Sequence, residues 1–307
     1  MASSDMQAFS GLLEEYLSFL QHHRGLRDAT LYPHRRWGRR FLDYVATRLT
    51  HADLGQLTIP IVDDFVRPLV RTVGRGTQSQ LIQVIRGLLR HLHRTGRLEH
   101  DWSRCVQGPR RYRLATLPTT ISTDEVKRLL RSVDRRSAIG RRHYAMLLLL
   151  AVYGLRAREV VELRIDDVDW RARVLRVRRS KTGRPLVLPL TAAVGQALVA
   201  YLRRGRPPTD AREIFVRHHG APRAFCKSSS VYAVVRHAFD RAQIRSTRRG
   251  PHVLRHALAT HLVQRGCALN VVGDLLGHQH PDSTLPYTKL AIDDLREVAL
   301  EVPEFER

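Results

Sequence analysis

Lysine is nearly absent from a chain otherwise crowded with positive charge. Of 52 lysine and arginine residues only four are lysine, Lys127, Lys181, Lys227 and Lys289, and 48 are arginine. A coding bias explains the skew most simply, yet it marks each surviving lysine as a candidate for work that arginine cannot do. Cysteine is also scarce. Cys105, Cys226 and Cys267 lie far apart, which excludes a disulfide framework and any metal-type spacing and implies a reducing compartment. Long apolar runs are missing too: the longest, Tyr144 to Tyr153, falls short of the roughly 20 residues a bilayer span requires. Met1 to Ser10 shows no charged start followed by an apolar run, so no signal peptide is expected and the cytoplasm is the expected location. Repeats and low-complexity segments are absent.

What is present points to a polyanion. Acidic residues number 29 against the 52 basic ones, for a net charge of +23 and a pI near 11.2. A solvated basic surface is the plain alternative, but a chain this basic is expected to meet nucleic acid. With 307 residues and 43% hydrophobic content the chain has room for two domains with packed cores.

The periodicity predicts an all-helical first domain over residues 1–103. Phe9, Leu12, Leu13, Tyr16, Leu17 and Leu20 form one helical stripe. A second helix runs from Asp28, a plausible N-cap, to Ala46. A third spans Ile61 to Val73 and a fourth Thr77 to Thr95. In the fourth, Arg86, Arg90, His91, His93 and Arg94, with Arg97 just beyond, alternate with the apolar positions as basic faces. Residues 104–120 form a basic linker, with Arg110, Arg111 and Arg113 between breakers at Gly108, Pro109 and Pro118. The second domain, 121–307, opens on a capping box from Ser122 to Glu125. Helices follow at about 123–133 and 140–153, with another after Gly154. Short strands are expected at Asp169–Trp170, Val174–Arg178 and Pro185–Pro189, with Ser180 to Gly183 as a hairpin turn and the two prolines confining the last strand to an edge. Helices resume at about 191–204 and 229–242.

The stretch from His252 to Tyr287 carries the chemistry. His252 and Arg255 share a helical face, Gly277 stops the next helix before His278, and Tyr287 lies past a turn. A guanidinium, two imidazoles and a phenol suit work on a phosphodiester. Arginine grips phosphate oxygens in a fork, histidine passes protons near neutrality, and a tyrosine oxygen can be a nucleophile. The alternative for each residue taken singly is an ordinary structural or surface role. His256, His261 and His280 are left in that role, and no zinc-type signature surrounds the His252–His256 pair.

Gly154-Leu155-Arg156 with Glu159, the hairpin Lys181, His252 and Arg255, Gly277-His278 and Tyr287 together resemble the catalytic domain of the tyrosine recombinases, the phage integrase family. The order and approximate spacing match over residues 121–290, and the helical N-terminal region is similar to that family's core-binding domain. The resemblance implies a mainly α fold with a small antiparallel sheet in the C-terminal domain, arranged as a two-domain DNA clamp. It implies a site-specific recombinase that cleaves and rejoins DNA through a 3′-phosphotyrosyl intermediate and a Holliday junction, without metal, ATP or another cofactor. Arg156 and Arg255 would stabilise charge on the phosphate, Lys181 would be the general acid, and His252 and His278 would bond the phosphate or move a proton. Glu159 would orient a cation, although a simple surface pair is an open alternative. Tyr287 would be the nucleophile. Two departures bear on it: Pro286 forces Leu285 into an extended conformation, and Lys289 stands where the family often has histidine. The apolar residues Ile292, Leu295, Val298 and Ala299 predict a final helix, which packs on its own domain or, by the resemblance, on a neighbouring protomer.

The implied partners are double-stranded DNA and further copies of the chain, a dimer per site and a synaptic tetramer, with a sister recombinase or directionality factor as a further possibility and no membrane. Bound to DNA, the protein would sit on the nucleoid. The rivals are a type IB topoisomerase and a DNA-binding protein without catalysis. An RNA-binding role lacks the aromatic stacking signatures that single strands need.

Overall fold

Helical periodicity in the first hundred residues becomes four packed helices: α1 (Ala2–His22), α2 (Asp28–Ala46), α3 (Ile59–Thr72) and α4 (Arg75–Arg94). The computed structural model describes residues 2–49, 53–108, 120–178 and 186–277, with side chains from residue 9 onward. The chain divides into two units, residues 1–112 and 113–307. In the first, the predicted stripe of α1 is buried against Trp37, Phe41, Leu42 and Val45 of α2 and Leu81, Ile85, Leu88 and Leu89 of α4. Val106 joins the same core, and its carbonyl accepts from Arg86 Nε at 2.8 Å.

Two local expectations are corrected. Arg27, not Asp28, is the N-cap of α2. Its side chain makes no capping bond, and Asp28 occupies the first turn, where a negative charge faces the positive end of the helix dipole. His91 does not lie on a basic face. It is buried between the rings of Tyr16 and Phe19, with centroids at 5.3 and 5.1 Å, and its Nδ1 accepts from Arg94 Nη2 at 3.1 Å.

In the second unit the capping box forms as expected. Ser122 Oγ accepts from Glu125 N at 3.2 Å and Glu125 Oε2 accepts from Ser122 N at 2.8 Å, opening α5 (Thr123–Arg131). Next comes α6 (Ala138–Tyr153), the hub. Its MLLLLA run is apolar on nearly every side, and a helix with that pattern must be enclosed. It packs on α5 and on α7 (Ala157–Val161), α8 (Ala192–Arg204), α9 (Ser229–Arg241) and α10 (Pro251–Gln264).

A three-stranded antiparallel sheet, β1 (Val168–Asp169), β2 (Val174–Val177) and β3 (Leu186–Pro189), stands beside this bundle in the order β1-β2-β3. The strands keep close to the predicted places, with β1 starting one residue earlier. Leu175 pairs with Leu188, both inward, and Arg176 with Val187, both outward. The alternation that defines a half-buried sheet fixes this register. A short α11 (Leu269–Leu276) packs Val272 and Leu276 against Ala259 of α10. Among the described residues no helix is long and apolar enough to cross a membrane.

Glycine caps the C-termini of α6 and α11. Gly154 after α6 has φ 60° and Gly277 after α11 has φ 63°, left-handed values that side-chain-bearing residues adopt at a cost. A Cβ at Gly154 would also lie 2.9 Å from Leu276 Cδ2 and 3.1 Å from Leu258 Cδ2. Gly154→Ala is therefore expected to destabilise the second unit by about 1–3 kcal/mol. Urea unfolding of the full chain checks this. A change within about 0.5 kcal/mol, the range of a neutral surface substitution, would contradict it.

Candidate active site

The two ends of α6 and α11 meet at two guanidiniums. Arg255 lies on α10 and is only 6% exposed. Its Nη1 donates to the carbonyl oxygen of Gly154 at 2.6 Å, and its Nη2 donates to that of Leu276. Arg156 forms the N-cap of α7 and donates through Nη2 to the carbonyl of Gly277 at 3.0 Å. Helix C-terminal carbonyls carry partial negative charge and lack intrahelical partners. The two arginines therefore satisfy oxygens that the helices leave open, and those oxygens offset the cost of enclosing the cations.

Glu159 brings a full negative charge to this pair. Its Oε2 accepts from the backbone N–H of Arg156 at 2.8 Å and its Oε1 from Arg156 Nη1, also at 2.8 Å. With 7% exposure it is no surface partner. A single carboxylate thus fixes the start of α7 and the direction of the Arg156 side chain. The guanidinium keeps an open face, with 30% of the side chain exposed.

His252 sits in the first turn of α10, one residue after Pro251. Proline suits that first position because its missing N–H would have no intrahelical partner. The three-residue spacing places His252 and Arg255 on the same side of α10, as the sequence predicts. The imidazole reaches solvent and meets the Tyr232 ring edge to face, with centroids 6.5 Å apart. Partial desolvation lowers its pKa below the ordinary value, and the guanidiniums of Arg255, Arg156 and Arg248 push the same way. His256, one turn on, is pushed down to about 4 by burial, His252, Arg255 and Arg248. Both rings are therefore neutral at pH 7. No group of three metal-ligating side chains occurs among the described residues.

The structure thus brings together four of the residues singled out in the sequence: Arg156, Glu159, His252 and Arg255. Lys181, His278 and Tyr287 lie outside the described residues, as do the final apolar stretch and Pro286. The carbonyls of Gly154, Leu276 and Gly277 leave no mark in the sequence, since a backbone oxygen has no letter of its own. Arg248 and Tyr232, which flank His252, belong to no pattern that spacing reveals.

The chain is similar to known proteins over most of its length. Residues 119–293 match the phage integrase family. The putative integrase/recombinase y4gC of Sinorhizobium fredii is 44% identical over 189 residues, covering 61% of this chain and 97% of its own length. The tyrosine recombinase XerD of Mycobacterium tuberculosis is 33% identical, covering 95% of this chain and 97% of its own length. Among solved structures, the XerH site-specific recombinase in a post-cleavage complex with a palindromic difH substrate superposes with a TM-score of 0.73 at 20% identity, covering 87% of this chain and 78% of that one. By its sequence match, its near full-length likeness to XerD and its shared fold, the chain belongs to the phage integrase family of tyrosine recombinases.

Proposed function

We propose that this chain is a site-specific DNA recombinase that breaks and rejoins a phosphodiester through Tyr287. The observation that carries the reading is the Arg156–Arg255 pair, held by three helix-end carbonyls and Glu159. A pair of cations fixed in advance is what a phosphoryl transfer needs, because negative charge grows on the non-bridging oxygens as the nucleophile adds. The Tyr287 oxygen forms a bond to phosphorus as the bond to the 5′-oxygen breaks. The products are a 3′-phosphotyrosine and a free 5′-hydroxyl once the leaving oxygen takes a proton.

Arginine is too weak an acid to give that proton. Lys181 supplies it as the general acid. His252, neutral and on the same helix face as Arg255, accepts the proton of the tyrosine, and His278 donates a hydrogen bond to the phosphate. The bond energy is kept in the phosphotyrosine, so rejoining to a new 5′-hydroxyl requires neither ATP nor a metal ion. Two such exchanges pass through a Holliday junction.

The XerH neighbour is bound to a palindromic substrate, and a palindrome presents two equivalent half-sites. We extend this to a pair of copies on each site here, and to four when two sites meet. The domain assignments, residues 1–103 for binding and 121–307 for catalysis with a basic connection between them, belong to the same proposal.

Covalent trapping tests the chemistry. Wild type and Tyr287→Phe are incubated, with a chelator present, with nicked duplexes tiled from the DNA that flanks the gene. Protein-linked DNA is then sought after denaturation. Wild type is expected to give an adduct on at least one tile and Tyr287→Phe none; adduct in both would overturn the assignment of Tyr287. A pH profile tests His252. Protonation would end its service as an acceptor, so cleavage is expected to persist below the ordinary imidazole pKa of about 6.5 and to fail only as pH falls through the lowered value. Arg248→Gln removes one of the cations that depress it, so the acidic limb should move to higher pH. An unmoved limb would show that another group governs it.

A further inference from the structure

Tyr153 closes α6 one residue before Gly154, and its buried hydroxyl reaches across to the sheet. It donates to the carbonyl of Pro189 at 2.7 Å and accepts from the backbone N–H of Thr191 at 3.0 Å. Pro189 ends β3, and Thr191 is the N-cap of α8. β2 has a second anchorage. Asp167, 6% exposed, accepts from the Arg164 N–H at 2.8 Å through Oδ2, while its Oδ1 stands 3.3 Å from Arg178 Nη2. Arg178 directly follows β2. Lys181 belongs to the short connection between Arg178 and the first residue of β3, Leu186. The two strands that carry Lys181 are thus each fixed to the catalytic unit by one buried polar side chain. One of those side chains sits on the same helix end that holds Arg255 and leads into Arg156.

We propose that Tyr153 and Asp167 are positioning residues for the general acid, each fixing one of the two strands, β3 and β2, that flank Lys181 in the sequence. The inference rests on the reading of Lys181 as that acid. Neither residue is placed to touch the phosphate. Both act through the strands, and a misplacement of about 1 Å in a reacting group can cost on the order of 100-fold in rate. In the step concerned, the Lys181 ammonium gives its proton to the 5′-oxygen as the bond from phosphorus to that oxygen breaks, and the lysine is left neutral. If sulfur replaces the bridging 5′-oxygen, a thiolate departs without needing a proton. A variant whose only fault is a displaced acid therefore recovers on the sulfur substrate. A variant with damaged arginines or a damaged fold does not.

The probe is the tile that wild type cleaves most, in its natural form and remade with a bridging sulfur at the cleaved phosphate. Tyr153→Phe and Arg178→Gln, the latter at an exposed partner of Asp167, are each expected to slow cleavage of the oxygen duplex about 10-fold, a fraction of what a positioned acid supplies, and to cleave the sulfur duplex near the wild-type rate. Lys181→Ala is the reference and should behave alike with a larger defect. Its failure to recover on sulfur would reject the reading of Lys181 itself. Recovery of Lys181→Ala with equal slowing of Tyr153→Phe on both duplexes, or with no slowing on either, would reject the positioning role alone. Amide hydrogen exchange over residues 174–190 is the second measurement. Faster exchange there in Tyr153→Phe, with α6 unchanged, is the expected result, and unchanged exchange also rejects the proposal.

Discussion

Arg255 donates to the last open carbonyls of two helices at once, Gly154 O after α6 and Leu276 O at the end of α11. Much of the second unit is organised around these two hydrogen bonds. The enclosed hub α6 ends where it does because Gly154 can take a left-handed turn, and the turn aims its carbonyl at the guanidinium. In α11 the same conformation at Gly277 leaves a carbonyl for Arg156. Replacing either arginine by an apolar residue would leave polar groups enclosed without partners, which costs more than the bond itself contributes. The arginines are thus part of the fold before any substrate arrives.

That dual service explains how a strongly basic chain can keep two cations close together. Coulomb repulsion between guanidiniums is offset by three carbonyls at two helix ends and by the Glu159 carboxylate. Partial desolvation and the same cations lower the pKa of His252, so under the proposed function the positive cluster would both stabilise a charged phosphate and leave a neutral imidazole to take up a proton. Tyr153 extends the arrangement to the sheet. Around the break between α6 and α7, Tyr153 reaches the sheet, the Gly154 carbonyl reaches Arg255, and Arg156 reaches the carbonyl of Gly277.

Much of this is readable in the sequence, for identifiable reasons. The stripe of α1, the enclosed run in α6, the capping box at Ser122 and the three strands follow from periodicity and turn chemistry, which act locally. The Arg156–Glu159 relation is visible as a spacing, but its burial is not, because burial depends on distant elements: α7 packs on α6 and α9, and Arg156 reaches the carbonyl of Gly277. His91 reads as surface because its neighbours in α4 are basic. Its partners Tyr16 and Phe19 lie in α1, at the other end of the unit's sequence, and no local pattern reports such a contact. The carbonyl ligands of the arginines are unreadable in principle, since they depend on backbone direction and not on residue type.

The central claim is that Arg156 and Arg255 act on the reaction by neutralising charge on the phosphate. It is tested most directly by removing that charge from the substrate. A duplex with a methylphosphonate at the cleaved position lacks the negative oxygen that the guanidiniums serve. Arg156→Ala, which removes the more exposed of the two cations, should form no covalent adduct with the ordinary duplex and should regain adduct formation with the methylphosphonate. If Arg156→Ala is inert on both while its fold is intact, the arginine acts in some other way and the claim is contradicted.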